Sequence, residues 1–321
     1  MKIIVPVAGL GTRLRPLTYA KPKPLLPVGD KPILGHIFDR VAKLNPEEII
    51  LITSHMEDQI EKYIAEFDFK VKLVHQDELL GLGHAIYLTK DFVDTPVLII
   101  LGDTLVNGDL PQFVNTNANR IGLCKVSDPS RFGVAVVESG RITKLVEKPK
   151  TPISNLAIIG TYFITDYKLM YECLEEIIEQ GKKTRGEFQF TDALDLMLKR
   201  NAILEPFTMK EWLDCGTLET LLRTNKILLE RIHQNYTLKD SIVIPPSYIH
   251  PTAEINHSII GPYASIHINS KITNSIIEDC IIDCGVIIES CSLKHSIIGE
   301  GAKISGKSLT LFAGAKTYSI T

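Results

Sequence analysis

The chain has 321 residues, 45% of them hydrophobic, with 35 Lys and Arg against 38 Asp and Glu and a formal net charge of −3. That length holds one large domain and a small one with ample core. The near balance of charge argues against a nucleic-acid-binding surface and against a polybasic membrane patch. No apolar run is long enough to span a bilayer and no signal-peptide core precedes the first strand, so a cytoplasmic protein without a membrane partner is expected. Cys124, Cys173, Cys215, Cys280, Cys284 and Cys291 are scattered, which suits reduced thiols.

Over residues 1–110 strand and helix patterns alternate. Ile3–Val7 reads as a buried strand, Pro32–Leu44 as a helix with Ile33, Ile37, Val41 and Leu44 on one face, and Ile49–Thr53 as a second strand. Helices at Met56–Glu66 and from Gly83 to Leu88 flank a strand at Lys70–His75, and Val97–Leu101 is a fully apolar strand. Such alternation predicts βαβ units, a mainly parallel sheet and ligands at the carboxyl ends of its strands. The texture then changes: strands at Ile121–Val126, Val134–Glu138, Ile142–Glu147 and Ile158–Ile164, with a hairpin turn at Ser139-Gly140, predict antiparallel additions. Helices are expected at Tyr167–Glu179, Thr191–Lys199 and Thr217–His233.

From about residue 241 aliphatic residues recur at Ile244, Ile249, Ile255, Ile260, Ile266, Ile272, Ile277, Ile282, Ile287, Leu293, Ile298 and Ile304, five or six apart. A run of hairpins would alternate with period two. A period near six with one inward aliphatic per side resembles the hexapeptide left-handed β-helix, in about four three-sided coils. The spacing of Cys280, Cys284 and Cys291 lacks the fourth ligand and the two-residue step of a metal site, so these are read as small corner residues.

The most informative stretch follows the first strand: Ala8-Gly9-Leu10-Gly11-Thr12-Arg13-Leu14-Arg15-Pro16-Leu17-Thr18, then Lys21-Pro22-Lys23-Pro24-Leu25-Leu26-Pro27-Val28. Glycines at a strand end let main-chain N–H groups face an anion, and Arg13, Arg15, Lys21 and Lys23 crowd cations beside them. It is not a P-loop, since Gly11 is followed by Thr12-Arg13 rather than Lys-Ser/Thr. It is not the dinucleotide fingerprint, whose third glycine would fall at Leu14.

The whole string resembles the signature loop of the sugar-1-phosphate nucleotidylyltransferases, and within them the glucose-1-phosphate thymidylyltransferase branch, over roughly the first two-thirds of the chain. The resemblance implies a Rossmann-like nucleotidyltransferase core with a mixed, mainly parallel sheet over residues 1–235, followed by a left-handed β-helix over 236–321. It assigns Ala8, Gly9, Gly11, Thr12, Arg13, Lys23, Gln76, Gly81 and Asp103 to the nucleotide, with Gln76 and the following glycine reading the base. It assigns Gly133, Glu147, Lys148, Gly160, Tyr162 and, through the Arg185-Gly186-Glu187 segment, Arg185 to the sugar phosphate. Phe188-Gln189-Phe190 departs mildly from the family pattern, and His84 reads as a surface residue at a helix start. Asp103 in Leu-Gly-Asp and Asp214 in Trp-Leu-Asp-Cys-Gly-Thr match the family's Mg²⁺ carboxylates.

The implied reaction is attack of a sugar 1-phosphate on the α-phosphorus of a nucleoside triphosphate, with Arg13, Lys23, Asp103, Lys148 and Asp214 as the catalytic set. The resemblance orders the substrates dTTP first and glucose 1-phosphate first. UTP–glucose-1-phosphate uridylyltransferase and mannose-1-phosphate guanylyltransferase are the alternatives, and a non-catalytic regulatory or scaffold subunit is the alternative of another class. His250, His257, His267 and His295 would be the candidates for an acyl-transfer role in the coil. Assembly into a homo-oligomer through the β-helix is the expected role of that region.

Overall fold

The computed structural model describes residues 1–151, 153–306 and 312–313. By its internal contacts the chain forms two compact units, Met1–Gly9 with Ile37–Trp212, and Leu10–His36 with the chain from Leu213 onward. The signature segment from Leu10 onward therefore groups with the chain after Leu213.

The first unit is built on a nine-stranded sheet. In chain order its strands are β1 (Lys2–Pro6), β2 (Glu48–Thr53), β3 (Val71–His75), β4 (Val97–Ile100), β5 (Asn119–Lys125), β6 (Val134–Glu138), β7 (Arg141–Val146), β8 (Leu156–Ile164) and β9 (Leu204–Thr208). The path runs β7-β6-β8-β4-β1-β2-β3, with β5 on β8 and β9 on β5. β1 lies parallel to β2 and β4, and β2 parallel to β3, while β8 meets β4, β5 and β6 antiparallel. The sheet is mixed, with a parallel half and an antiparallel half, as the alternation and the hairpin signal indicated. Its central strands are apolar throughout because both faces are covered. Ile4, Ile50, Ile99 and Ile121 share one buried cluster with Ile86, Met170, Leu174, Leu194 and Met197.

The helices are α1 (Ile33–Val41), α2 (Glu57–Ile64), α3 (Leu82–Tyr87), α4 (Leu110–Val114), α5 (Tyr167–Glu179), α6 (Phe190–Lys199) and α7 (Leu218–Leu229). Several ends differ from expectation. Lys31-Pro32 pairs with Pro27-Val28 in a short hairpin, so α1 starts one residue after the expected proline. α7 stops at Leu229, short of His233. β9 was not anticipated because it carries Pro206, which usually demotes a strand; it is an edge strand pairing only with β5, where a missing N–H is tolerated.

In the second unit the strands after Ser241 stack in parallel in three series. Val243 pairs with Ile260, Ile260 with Ile277, and Ile277 with Leu293. Ile249, Ile266, Ile282 and Ile298 form a second ladder, and Ile255, Ile272, Ile288 and Ile304 a third. The chain thus returns to the same side every sixteen or seventeen residues, three of the expected steps. Two of the expected inward residues are displaced by one. Ile244 and Ile287 are 40% and 37% exposed, and the inward places belong to Val243 and Ile288. Adjacent strand residues face opposite ways, so a doubled aliphatic leaves the register open in the sequence. Turns between the series sit at positive φ: His257, Asn274 and Ser290 in one, Asn269, Gly285 and Gly301 in another, Tyr263, Asp279 and His295 in the third. Cys280 and Cys291 directly follow the turn residues Asp279 and Ser290, and their side chains lie in the apolar interior. Residues 307–311 and 314–321 of the expected repeat region lie outside those described.

Candidate active site

In the first unit the residues expected to read a base sit beyond β3. The Gln76 amide N–H bonds the Thr53 carbonyl at 2.8 Å, which holds the residue at the strand end. Its side chain is 3% exposed, and its Nε2 donates to the Gly81 carbonyl at 3.4 Å and meets His84 Nδ1 at 3.1 Å. The Gly81 carbonyl can only accept, which fixes the amide nitrogen toward it and makes His84 Nδ1 an acceptor. Burial holds the His84 imidazole below its ordinary pKa, against the pull of Glu78, and keeps it neutral for that role. The Gln76 oxygen is left as the atom to meet a ligand. Gly81 has φ +112°, and a Cβ there would lie 2.7 Å from the Phe188 carbonyl oxygen. That carbonyl accepts the Gly83 N–H at 2.8 Å, and the Phe188 N–H bonds Leu80 at 2.8 Å, so the segment carrying Arg185 walls the base loop.

At the end of β1 the Val7 N–H bonds Ile52 and the Ala8 carbonyl accepts from Ser54 Oγ at 2.6 Å, while a side chain at Gly9 would meet nothing within 4 Å. Asp103 reaches this strand end through Gly102. A Cβ on Gly102 would lie 2.6 Å from Val7 Cγ1 and 2.7 Å from the Pro6 carbonyl oxygen, so only glycine allows the approach.

Of the residues expected on the sugar side, several converge on Glu147. Its Oε2 accepts from Thr191 Oγ1 at 2.8 Å, and its Oε1 lies 3.1 Å from Lys148 Nζ. A Cβ on Gly133 would lie 2.9 Å from Glu147 Oε2 and 3.1 Å from Thr191 Oγ1. Lys148 and Arg185 both hold positive φ, 41° and 56°, and the Arg185 guanidinium donates to the Lys148 carbonyl at 2.7 Å. Non-glycine residues in this region cost about 1 kcal/mol each or more, a local strain that collects at functional sites. Gly160, at φ +74°, presses against Leu101 and interrupts the β8 register. Tyr162 is buried against Phe190, with burial first and Glu147 second pushing its phenol well above the ordinary range.

In the second unit Gly11 is left-handed, at φ +59°. Its carbonyl accepts from Leu14 N–H at 2.8 Å and Thr18 Oγ1 at 2.9 Å. A Cβ there would lie 2.8 Å from Thr18 Cγ2 and 3.2 Å from Lys23 Cβ. Thr12 and Arg13 open the short helical turn that follows, with Arg13 exposed and Lys23 buried. Asp214 is held by the Gly216 N–H, at 2.9 Å to Oδ1. A Cβ on Gly216 would stand 2.8 Å from that oxygen and 3.3 Å from Arg13 Nη2, so a carboxylate and a guanidinium border one space that only glycine leaves open. Thr217 then caps α7, bonding the Thr220 N–H at 3.2 Å. Of the four cations expected to crowd the loop, Arg15 stacks over Tyr19 at 5.0 Å and Lys21 pairs with Asp283.

The nucleotidyl transferase family pattern matches residues 2–231. The chain belongs to the nucleotidyl transferase family. It is 35% identical over 254 residues to the bifunctional protein GlmU of Methanocaldococcus jannaschii, covering 76% of this chain but only 60% of that protein. It is 32% identical over 242 residues to a glucose-1-phosphate thymidylyltransferase of Streptomyces antibioticus, covering 72% of this chain and 67% of that one. The solved structure of UDP-glucose pyrophosphorylase complexed with UDP-glucose superposes with a TM-score of 0.64 at 27% identity, over 72% of this chain and 99% of that chain.

Sequence reading missed three supporting residues. His84 is not a plain surface residue but half-buried, and it orients Gln76. Thr191 reads in the sequence only as the start of a helix, yet it bonds Glu147. Gly102 admits Asp103 to the strand end. A His eight residues after the Gln was a usable signal; the contact of Thr191 with Glu147, far apart in sequence, was not. Among the described residues no helix is long and apolar enough to cross a membrane.

Proposed function

We propose that the chain is a sugar-1-phosphate nucleotidylyltransferase, with dTTP and glucose 1-phosphate as its favoured substrates and UTP as the next nucleotide. The observation that carries this reading is the space beside Gly216, bordered by the Asp214 carboxylate and the Arg13 guanidinium on the unit that also holds the signature loop. A polyphosphate is bound by cations and by carboxylates that share a metal with it, and both residue types border this space. The Gln76 oxygen supports a base with an N–H donor on its pairing edge, which suits thymine and uracil and disfavours cytosine.

The residues Asp103 and Asp214 offer hard carboxylate oxygens, and among the described residues no group of three or more His, Cys, Asp or Glu could by itself hold a metal. Carboxylate oxygens of this kind suit Mg²⁺, which takes further oxygens from water and phosphate. When bound, Mg²⁺ supplies charge neutralisation at the α-phosphate. The protein's own work is alignment. In the reaction a sugar-phosphate oxygen forms a bond to the α-phosphorus while the bond to the leaving pyrophosphate breaks. The nucleophile is already anionic, so no general base is required; the barrier lies in bringing two polyanions into line. Lys148 neutralises the sugar phosphate with Arg185 beside it. Gly133, Glu147, Gly160 and Tyr162 shape the sugar pocket, and Glu147 is oriented by Thr191 to accept from sugar hydroxyls. Arg13 and Lys23 neutralise the triphosphate, and the backbone at Ala8, Gly9, Gly11 and Thr12 faces it.

The three parallel ladders support the further reading that residues from 236 onward form a left-handed β-helix. Ile242 and Ile276, 59% and 46% exposed in one outward column with Ile259 between them, support homo-oligomer assembly through it. The reaction is tested by pyrophosphate release from dTTP, UTP, CTP, ATP and GTP against glucose, mannose, galactose and glucosamine 1-phosphates, in Mg²⁺ and in EDTA. Metal-dependent release with dTTP or UTP and glucose 1-phosphate is expected. Silence across the grid from folded protein would overturn the reading in favour of a non-catalytic role.

A further inference from the structure

We propose that the C-terminal coil is a working part of the nucleotide site, positioning the signature segment through a buried ion pair between Lys21 and Asp283. This rests on the nucleotidylyltransferase reading of that segment and adds positioning residues that no motif contains.

Lys21 Nζ donates to both oxygens of Asp283, at 2.8 and 3.0 Å, and lies 2.9 Å from Glu300. The two partners are 262 residues apart in sequence. The Asp283 side chain is 3% exposed and that of Lys21 12%. Asp283 also accepts the Cys284 N–H at 2.7 Å, so its lone pairs are met from two directions. Burial works against the Lys21 charge, but Asp283 outweighs it and raises the ammonium above its ordinary pKa. Burial pushes the Asp283 carboxyl up, and Lys21 pulls it back. A buried pair contributes little net stability, because desolvation offsets the attraction, but it tolerates one geometry. The best-attested use of such a pair is to fix register.

The register fixed here is that of the nucleotide loop. Two residues after Lys21 comes Lys23, whose Cβ packs against Gly11, and Thr18 Oγ1 holds the Gly11 carbonyl on the other side. A shift of Lys21 therefore reaches Gly11 through short, packed links. A second tether runs in parallel. The Gly29 N–H donates to Asn225 Oδ1 at 2.8 Å, and the same oxygen accepts from Ser265 Oγ of the coil at 2.6 Å, with both bonds buried. Asp279 of the coil takes Lys226 of α7 at 2.8 Å. The segment from Gly11 to Gly29 is thus fastened at Lys21 to the coil and at Gly29 to α7. Lys21 is oriented toward the coil and is committed there, which separates it from Arg13 and Lys23 as a phosphate ligand.

The test is a pair of full-length variants. Asp283→Asn removes the charge. Lys21→Met with Asp283→Leu replaces the pair by apolar side chains of similar size, a change that usually preserves stability. Hydrogen exchange over residues 10–26 is expected to quicken in both variants while the strands of the first unit keep their protection and the double variant keeps its melting temperature. In turnover the nucleotide KM is expected to rise roughly tenfold or more, since small misplacements of binding groups are amplified, with the sugar-phosphate KM unchanged within about twofold. Wild-type exchange at 10–26 in the folded double variant would overturn the proposal, as would an equal rise of both KM values. Because exchange is read without turnover, an inactive wild type would count against the enzymatic reading alone.

Discussion

The residues expected to meet the base and the sugar, in the first unit, and the signature loop of the second are supported in opposite ways. Gln76 is set by Gly81 and His84, within eight residues, and Lys148 is adjacent to Glu147. The loop of Gly11 is tied by Lys21 to Asp283 and by Gly29, through Asn225, to Ser265. The first set is held by its own turn chemistry and by the single segment from Arg185 to Thr191. The second, although it carries the most recognisable motif in the chain, leans on residues near the far end of the sequence. A motif thus identifies what a segment does without disclosing what keeps it in place.

The comparison can be broken at several points. The largest effect is expected at the carboxylates. Asp103→Asn removes a charge without adding volume, and turnover is expected to fall by the equivalent of about 2–4 kcal/mol, in analogy with loss of one transition-state donor, with an unchanged melting curve. Near-normal turnover in Mg²⁺ would refute its role. Next comes Gly102→Ala, whose Cβ would stand 2.7 Å from the Pro6 carbonyl oxygen. Moving Asp103 by a fraction of an ångström is expected to reduce turnover by roughly tenfold or more while secondary structure persists, and full activity would show that the close approach is not needed.

His84→Phe sharpens the account of the first unit. It deletes the acceptor that holds the Gln76 amide, so the preference for UTP over CTP is expected to fall by roughly tenfold, the scale of one lost hydrogen bond. Sugar-phosphate KM should stay constant, and unaltered discrimination would remove His84 from the site. Thr191→Val is expected to act in the complementary sense, raising sugar-phosphate KM a few-fold without touching the nucleotide.

The smallest effect separates the units by acid. His267 in the coil is 4% exposed, and burial, with Lys21 beside it, lowers its pKa to about 3. Its neutral form is the one the fold accepts. Above the ordinary histidine pKa near 6.5 folded and unfolded chains carry the same proton count at this site. As pH falls below that value the unfolded chain binds a proton that the folded one refuses, so stability is lost progressively until about pH 3. His267→Phe is expected to flatten this slope in denaturant titrations between pH 6.5 and 4; an unchanged slope would assign acid lability elsewhere.

What the sequence made legible follows the same division. The strand-helix alternation up to Val97, the hairpin at Ser139-Gly140 and the ladder of isoleucines rest on local periodicity, which a chain displays openly. The exchange of Val243 for Ile244 and Ile288 for Ile287 shows where that legibility ends, since two adjacent aliphatics leave the facing ambiguous. β9 was hidden by Pro206, because its edge position depends on its partner and not on its own residues. Lys21 looked like one more phosphate cation; its carboxylate partner could not be seen before the coil was folded. Phe188, which looked like a mild departure from the family pattern, supplies the carbonyl and amide that hold the base loop.

The most direct measurement is pyrophosphate release by the wild-type chain with glucose 1-phosphate and one nucleotide at a time, dTTP, UTP or CTP, in Mg²⁺ and in EDTA. The account expects release with dTTP and UTP well above CTP, and none in EDTA. Release equal with CTP would contradict the reading of Gln76, and release undiminished by EDTA would contradict the assignment of Asp103 and Asp214.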